Sequence, residues 1–231
     1  MYYLFSITDI DQTITLALNG SKSLFWDNLM MIITNTFSWS LLIVVLLYIL
    51  FKNNSVRDAF VILFVIGLMI FVADRLCSGL IKPTIARWRP TQDPYLMYIV
   101  DTVNNYRGGR YGFFSGHACN TMCVAIFLTF IFMDRKLSCV LLFWSITTTF
   151  TRLYLGVHYF GDIIVGWLTG AAIGYIFYKL YYNIFNIDNK YHRESSEYTK
   201  SGYKKNDINF FITTIFFNYL LLILISLTKG I

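Results

Sequence analysis

Apolar residues in this chain fall in long runs, and each run closes on a short polar or basic interruption. A helix needs about 20 predominantly apolar residues to cross the hydrocarbon of a bilayer. The runs predict six such spans, at about 25–51, 59–81, 117–133, 137–150, 163–182 and 210–228. Ahead of them, Ile7, Ile10, Ile14, Leu16 and Leu18 are interrupted by polar residues every few positions. That pattern suits a helix lying in the membrane interface better than one crossing it. The predicted fold is an all-α membrane protein, a helical bundle of about six transmembrane helices with an N-terminal interfacial helix. The chain divides into an interfacial segment (1–24), a membrane core (25–182), a cytoplasmic linker (183–208) and a C-terminal transmembrane helix (209–231).

Composition narrows the class. Of 231 residues, 56% are hydrophobic, 19% aromatic and only 14% charged, against about 25% charged in soluble domains. So few charges cannot cover a water-soluble surface, which excludes a soluble globular enzyme, and the same figures exclude disorder and coiled coil. The net charge of +6 has two readings, positive cytoplasmic loops or a site for an anionic substrate; no nucleic-acid partner is expected. Cys77, Cys119, Cys123 and Cys139 lie in or beside apolar runs without CxxC spacing and read as reduced packing residues. Cys119 and Cys123 share a helix face near His117, but three good ligands do not converge, so no metal site is expected. Residues 1–19 lack a basic start and carry Asp9 and Asp11, so no cleavable signal peptide is expected.

Charge also orients the spans. If all six cross, Lys52, Arg57, Arg135, Lys136, Lys190, Arg193, Lys200, Lys204 and Lys205 share one side, which should be the cytoplasm. The loop 82–115 and the connector 151–162 then meet at the outer face.

Three clusters stand there: "KPTIARWRP" at 82–90, "FSGH" at 114–117 and "TRLYLGVHYFGD" at 151–162. Lys82, Arg89 and Arg152 place three cations at a membrane edge, where unpaired charge is costly and an anion is the natural partner. Arginine adds a planar fork matched to phosphate oxygens. His158 and Asp162 are four residues apart, so on a helix the carboxylate can hold one ring nitrogen and leave the other free to attack. His117 follows Ser115 and Gly116, whose N–H groups at a helix start suit an oxyanion. Two histidines and three cations make a phosphoryl-transfer site, with one histidine attacking phosphorus and the other protonating the leaving oxygen. The cations take the charge-neutralising part that Mg²⁺ plays in kinases, so no metal and no other cofactor is expected.

These clusters resemble the signature of the type 2 phosphatidic acid phosphatase family: Lys-x6-Arg-Pro at Lys82, Arg89 and Pro90; Pro-Ser-Gly-His at 114–117; and Ser-Arg-x5-His-x3-Asp at Thr151, Arg152, His158 and Asp162. Phe114 stands for the usual proline and Thr151 for serine, and neither change removes a catalytic group. The resemblance covers about residues 25–182. It implies a phosphohistidine at His158, His117 as general acid and Asp162 orienting His158. Lys82, Arg89, Ser115, Gly116 and Arg152 would hold the phosphate, without metal. Family members of six spans commonly have two helices before the one ending in the lysine motif, plus an additional first helix; this chain has one full span there and an extra one at its C-terminus. The run 210–228 is suggested to take the missing place.

The resemblance points to a lipid phosphatase of a bacterial inner membrane, its site facing the periplasm or outside. Candidate substrates are undecaprenyl diphosphate, lipid A phosphates, phosphatidylglycerol phosphate and phosphatidic acid. Arg107 and Arg110 lean toward a substrate with more than one phosphate. The alternative is a transporter or lipid-binding scaffold that keeps a phosphate site without turnover, against which the retained histidines and Asp162 argue. Asp74 and Arg75, inside the second span, are expected to bond between helices, and Trp88, Tyr95, Tyr98, Tyr106 and Tyr111 to form an interfacial aromatic belt.

Overall fold

The computed structural model describes residues 7–185 and 195–228. Lys190 and Arg193, and residues 186–194 of the expected linker, lie outside the described residues. The chain runs through α1 (Ile7–Ala17), α2 (Leu24–Thr34), α3 (Ser40–Asn53), α4 (Val56–Asp74), α5 (Lys82–Ile85), α6 (Gly116–Phe132), α7 (Arg135–Tyr154), α8 (Phe160–Ile184) and α9 (Lys205–Thr228). Among the described residues there is no strand, only isolated bridges at Trp88–Tyr111 and Tyr198–Lys204. Polar residues start the helices as capping predicts: Ser55 Oγ accepts from Asp58 N at 3.1 Å and Asp134 Oδ1 from Leu137 N at 2.9 Å.

The first expected span is broken. Asn35 ends α2 and its side chain accepts from Phe37 N at 3.0 Å, opening a 3₁₀ turn at Thr36–Trp39 before α3. Ser38 Oγ and Trp39 Nε1 donate back to Ile32 O and Ile33 O at 2.6 and 2.9 Å, satisfying carbonyls the break sets free. The 11 residues of α2 rise only about 16 Å, too short to cross. Among the described residues four helices are long and apolar enough to span: Thr36–Asn53, Val56–Ile85, Phe160–Ile184 and Lys205–Thr228. The α6 helix is shorter, at 17 residues. The α7 helix is longer than the apolar run suggested but carries Ser145, Thr147, Thr148, Thr149 and Thr151.

At the centre, α6 lies against both α8 and α7. Gly166, Gly170 and Gly174 put a strip of bare backbone on one face of α8. A Cβ on Gly170 would fall 2.3 Å from the carbonyl oxygen of Cys119, and one on Gly174 2.5 Å from that of Cys123. Small residues at four-residue spacing let membrane helices approach to backbone contact, and a side chain at either position would push α8 off α6. The α9 helix lies along the broken first span: Asn218 Nδ2 donates to Ser38 O at 3.0 Å, Ser226 Oγ to Phe25 O at 2.8 Å, and Lys52 pairs with Asp207 at 2.7 Å.

Among the described residues, Asp74 and Arg75 make no ion pair or hydrogen bond to another helix. Both are exposed on the bundle's outer surface. Asp74 accepts from Ser78 Oγ at 3.2 Å and Arg75 lies 5.3 Å from the Phe71 ring. Residues 75–81 form a π-helical stretch between α4 and α5, in which Cys77 is buried.

Candidate active site

Because α4, α6, α7 and α8 alternate in direction, the ends that carry the three motifs collect at one end of the bundle. His158 sits in the turn between α7 and α8, and Asp162 in the first turn of α8; they are 1% and 0% exposed. Asp162 Oδ2 lies 3.4 Å from His158 Nδ1 and accepts the N–H of Tyr159 at 3.1 Å. The carboxylate thus holds Nδ1 as the protonated nitrogen. The other nitrogen, Nε2, faces Arg89 Nη1 at 3.2 Å. Burial, with the charges of Arg89, Arg152 and Lys82 and the neighbouring His117, holds His158 well below the usual histidine range. It is therefore neutral at pH 7, with its Nε2 lone pair directed at the cations.

Arg89 is clamped by the backbone: its Nε donates to Tyr111 O at 3.2 Å and its Nη1 to Val157 O at 3.0 Å. Arg152, 3% exposed, donates through Nη1 to Thr34 Oγ1 at 2.6 Å and through Nη2 to Tyr106 OH at 3.1 Å. Its Nε is buried without a protein partner, the kind of donor an anion satisfies. A Cβ built on Gly116 would fall 3.9 Å from Lys82 Nζ and 3.5 Å from Cys77 Sγ, so Lys82 reaches the N-terminus of α6. His117 follows in that first turn.

All eight residues singled out in the motifs stand at this end, but Ser115 differs from its expected part. Its N–H donates to Asp162 O at 3.0 Å, and its Oγ accepts from Ala118 N at 3.4 Å as the α6 cap. That N–H ties α6 to α8, which leaves Gly116 and His117 as the backbone donors of the turn. Tyr106 is drawn out of the expected aromatic belt by its bond to Arg152, whereas Tyr95 and Tyr98 are exposed as a belt requires. Arg107 donates to Thr91 O at 2.9 Å and pins the loop; Arg110 is exposed and stacks over Trp88 at 4.5 Å.

Several contributors carried no readable mark in the sequence. Thr34 is an ordinary helix end until the fold brings it to Arg152. Gly112 belongs to the "RGGRYG" stretch, and a Cβ there would lie 3.0 Å from Asp162 Oδ2 and 3.5 Å from His158 Nδ1. Arg87 did leave a signal, since it is a third basic residue within the first motif; its Nη1 donates to Asp162 Oδ1 at 2.8 Å.

A family model described as the PAP2 superfamily matches residues 58–186. The chain is 40% identical over 176 residues to a lipid A 4'-phosphatase of Bacteroides thetaiotaomicron, covering 74% of this chain and 77% of that one. It is 33% identical over 177 residues to a lipid A 4'-phosphatase of Porphyromonas gingivalis, covering 76% and 74%. Its fold is similar, at a TM-score of 0.59 and 19% identity, to the crystal structure of a transmembrane PAP2 type phosphatidylglycerolphosphate phosphatase from Bacillus subtilis, covering 79% of this chain and 89% of that one.

Proposed function

This chain belongs to the PAP2 superfamily and is a lipid phosphatase, and from that premise we propose that it removes the 4'-phosphate of lipid A at the outer face of a bacterial inner membrane, through a phosphohistidine and without a metal ion. The observation that carries the mechanism is the setting of His158, with Nδ1 held by Asp162 and Nε2 at 3.2 Å from the Arg89 guanidinium. In the first step Nε2 attacks phosphorus, an N–P bond forms and the P–O bond to the lipid breaks. With the anionic phosphate bound among the cations, His117 takes up a proton from solvent and delivers it to the departing oxygen. In the second step His117 takes a proton from water, the resulting hydroxide attacks phosphorus, the N–P bond breaks and inorganic phosphate leaves. Lys82, Arg89, Arg152 and the N–H groups at the start of α6 face the equatorial oxygens, whose charge they neutralise.

The names of the two relatives favour lipid A over the other lipid phosphates. The exposed Arg110 on its Trp88 platform beside the first motif is a cation placed for a second phosphate, which favours the three candidates that carry two phosphates over phosphatidic acid, which carries one. Purified protein in detergent with EDTA is given diphosphoryl lipid A, phosphatidylglycerol phosphate, undecaprenyl diphosphate and phosphatidic acid, with products read by mass spectrometry. Loss of one phosphate from lipid A, mapped to the 4' position and unaffected by EDTA, is the expected result. Turnover confined to another lipid, or a strict Mg²⁺ or Zn²⁺ requirement, overturns the reading.

A further inference from the structure

The N-terminal helix α1 packs on α8 and brings a carboxylate to the back of the catalytic pair. Asp11 Oδ1 accepts the N–H of Gly161 at 2.7 Å, and Thr15 Oγ1 accepts the N–H of Phe160 at 3.0 Å. Two of the donors that the start of α8 leaves without intrahelical partners are thus satisfied from another helix. The remaining oxygen, Asp11 Oδ2, accepts from Arg87 Nη2 at 2.5 Å, and Arg87 Nη1 donates to Asp162 Oδ1 at 2.8 Å. The Arg87 guanidinium also lies 4.0 Å from the Tyr159 ring, whose hydroxyl donates to Asp93 Oδ2 at 2.9 Å. One planar fork therefore bridges two carboxylates and rests on a ring that is itself tied down.

The two oxygens of Asp162 have separate duties. Oδ2 serves His158 and the Tyr159 N–H; Oδ1 is held by Arg87. Gly112 and Gly161 carry no side chain where one would intrude: a Cβ on Gly161 would lie 3.1 Å from Asp11 Oδ2. An ordinary ion pair would need neither the division of oxygens nor the cleared space. We propose that Arg87 and Asp11 are positioning residues of the phosphatase: Asp11 fixes Arg87, Arg87 fixes the carboxylate plane of Asp162, and that plane aims His158 at phosphorus. The claim rests on His158 being the nucleophile. It gives the N-terminal helix a part in the reaction that its amphipathic pattern alone did not suggest.

The test is a double-mutant cycle on full-length protein in detergent, using Arg87→Gln, Asp11→Asn and the pair, with Arg87→Lys and Asp11→Glu as conservative variants. Phosphate release from diphosphoryl lipid A is measured as kcat and KM separately. Orthovanadate binding, followed by calorimetry, reports the aim of His158 without turnover. Arg87→Gln is expected to lower kcat by ~100-fold with KM changed less than about threefold, since the loss falls on a transition-state interaction. Asp11→Asn should lower kcat by ~10-fold, and the pair should be no worse than Arg87→Gln alone, because the two residues act in series. Asp11→Glu should recover part of the rate, and vanadate affinity should fall in parallel with kcat. Multiplying losses in the pair, or a lower melting temperature with unchanged kcat and vanadate affinity, would overturn the proposal. If Arg87→Gln does not fold, Arg87→Lys carries the same comparison, since a point charge cannot bridge two carboxylates. Normal vanadate binding by the wild type with no lipid turned over would count against the lipid A reading and leave the positioning claim to be judged on vanadate alone.

Discussion

His158 is neutral because the fold denies it a proton. Burial and the charges of Arg89, Arg152 and Lys82 all disfavour the imidazolium, and the folded-state value lies well below that of an exposed histidine, about 6.5. In the unfolded chain the ring titrates normally. The unfolded state therefore takes up the proton first as pH falls, so the stability is fully present above about pH 6.5 and is lost on the way down toward the folded-state value. Each pH unit in that window removes up to about 1.4 kcal/mol. The melting temperature of wild-type protein in detergent should therefore fall between pH 7.5 and 5 by several degrees more than that of His158→Gln. Equal falls for the two proteins would contradict a neutral, buried His158. At this scale the sequence was generous, because histidines, lysine, arginines and aspartate at fixed spacings are visible as chemistry. Thr34, Tyr106 and Asp11 were not legible, since a hydroxyl or a carboxylate becomes part of a site only when a distant segment is laid against it.

The helices show a similar division. Apolar runs located α4, α6, α8 and α9, because period and length alone identify buried or lipid-facing helix. The break at Asn35 escaped that reading: Thr34, Asn35, Thr36, Ser38 and Ser40 are uncharged and set among apolar residues in a run of 27 positions, and the bonds that Asn35 and Ser38 make, rather than hydropathy, end α2. The hydroxyl-rich half of α7 misled in the other direction. Thr149 and Thr151 bond to carbonyls of their own helix at 2.6 Å, so those hydroxyls do not interrupt it. Helix direction carries a prediction about sidedness. In a background lacking the native cysteines, Asn104→Cys, in the loop before α6, should react with an impermeant reagent from outside the cell. Ser196→Cys, before α9, should react only after permeabilisation. Labelling of both from the same side would refute the outer-face assignment and leave the active-site geometry untouched.

Across the whole molecule the site is an assembly of ends. The α4–α5 arm delivers Lys82, the loop after it Arg87 and Arg89, α6 His117, α7 Arg152, and the turn into α8 His158 and Asp162. The glycine seam of α8 holds α6 close enough for Ser115 N–H to reach Asp162 O at 3.0 Å, so the two histidine motifs are registered against each other by backbone. Helices α1 and α2 close the assembly from outside, through Asp11 at the back of Asp162 and Thr34 at Arg152. The role proposed for His158 in this assembly is to accept the phosphoryl group on Nε2. Its most direct test is to quench wild-type protein in alkali during turnover of phosphorus-labelled lipid A and to map the labelled peptide. Acid-labile, alkali-stable label on His158, absent in His158→Ala, is expected; label on His117, a serine or a cysteine would contradict it.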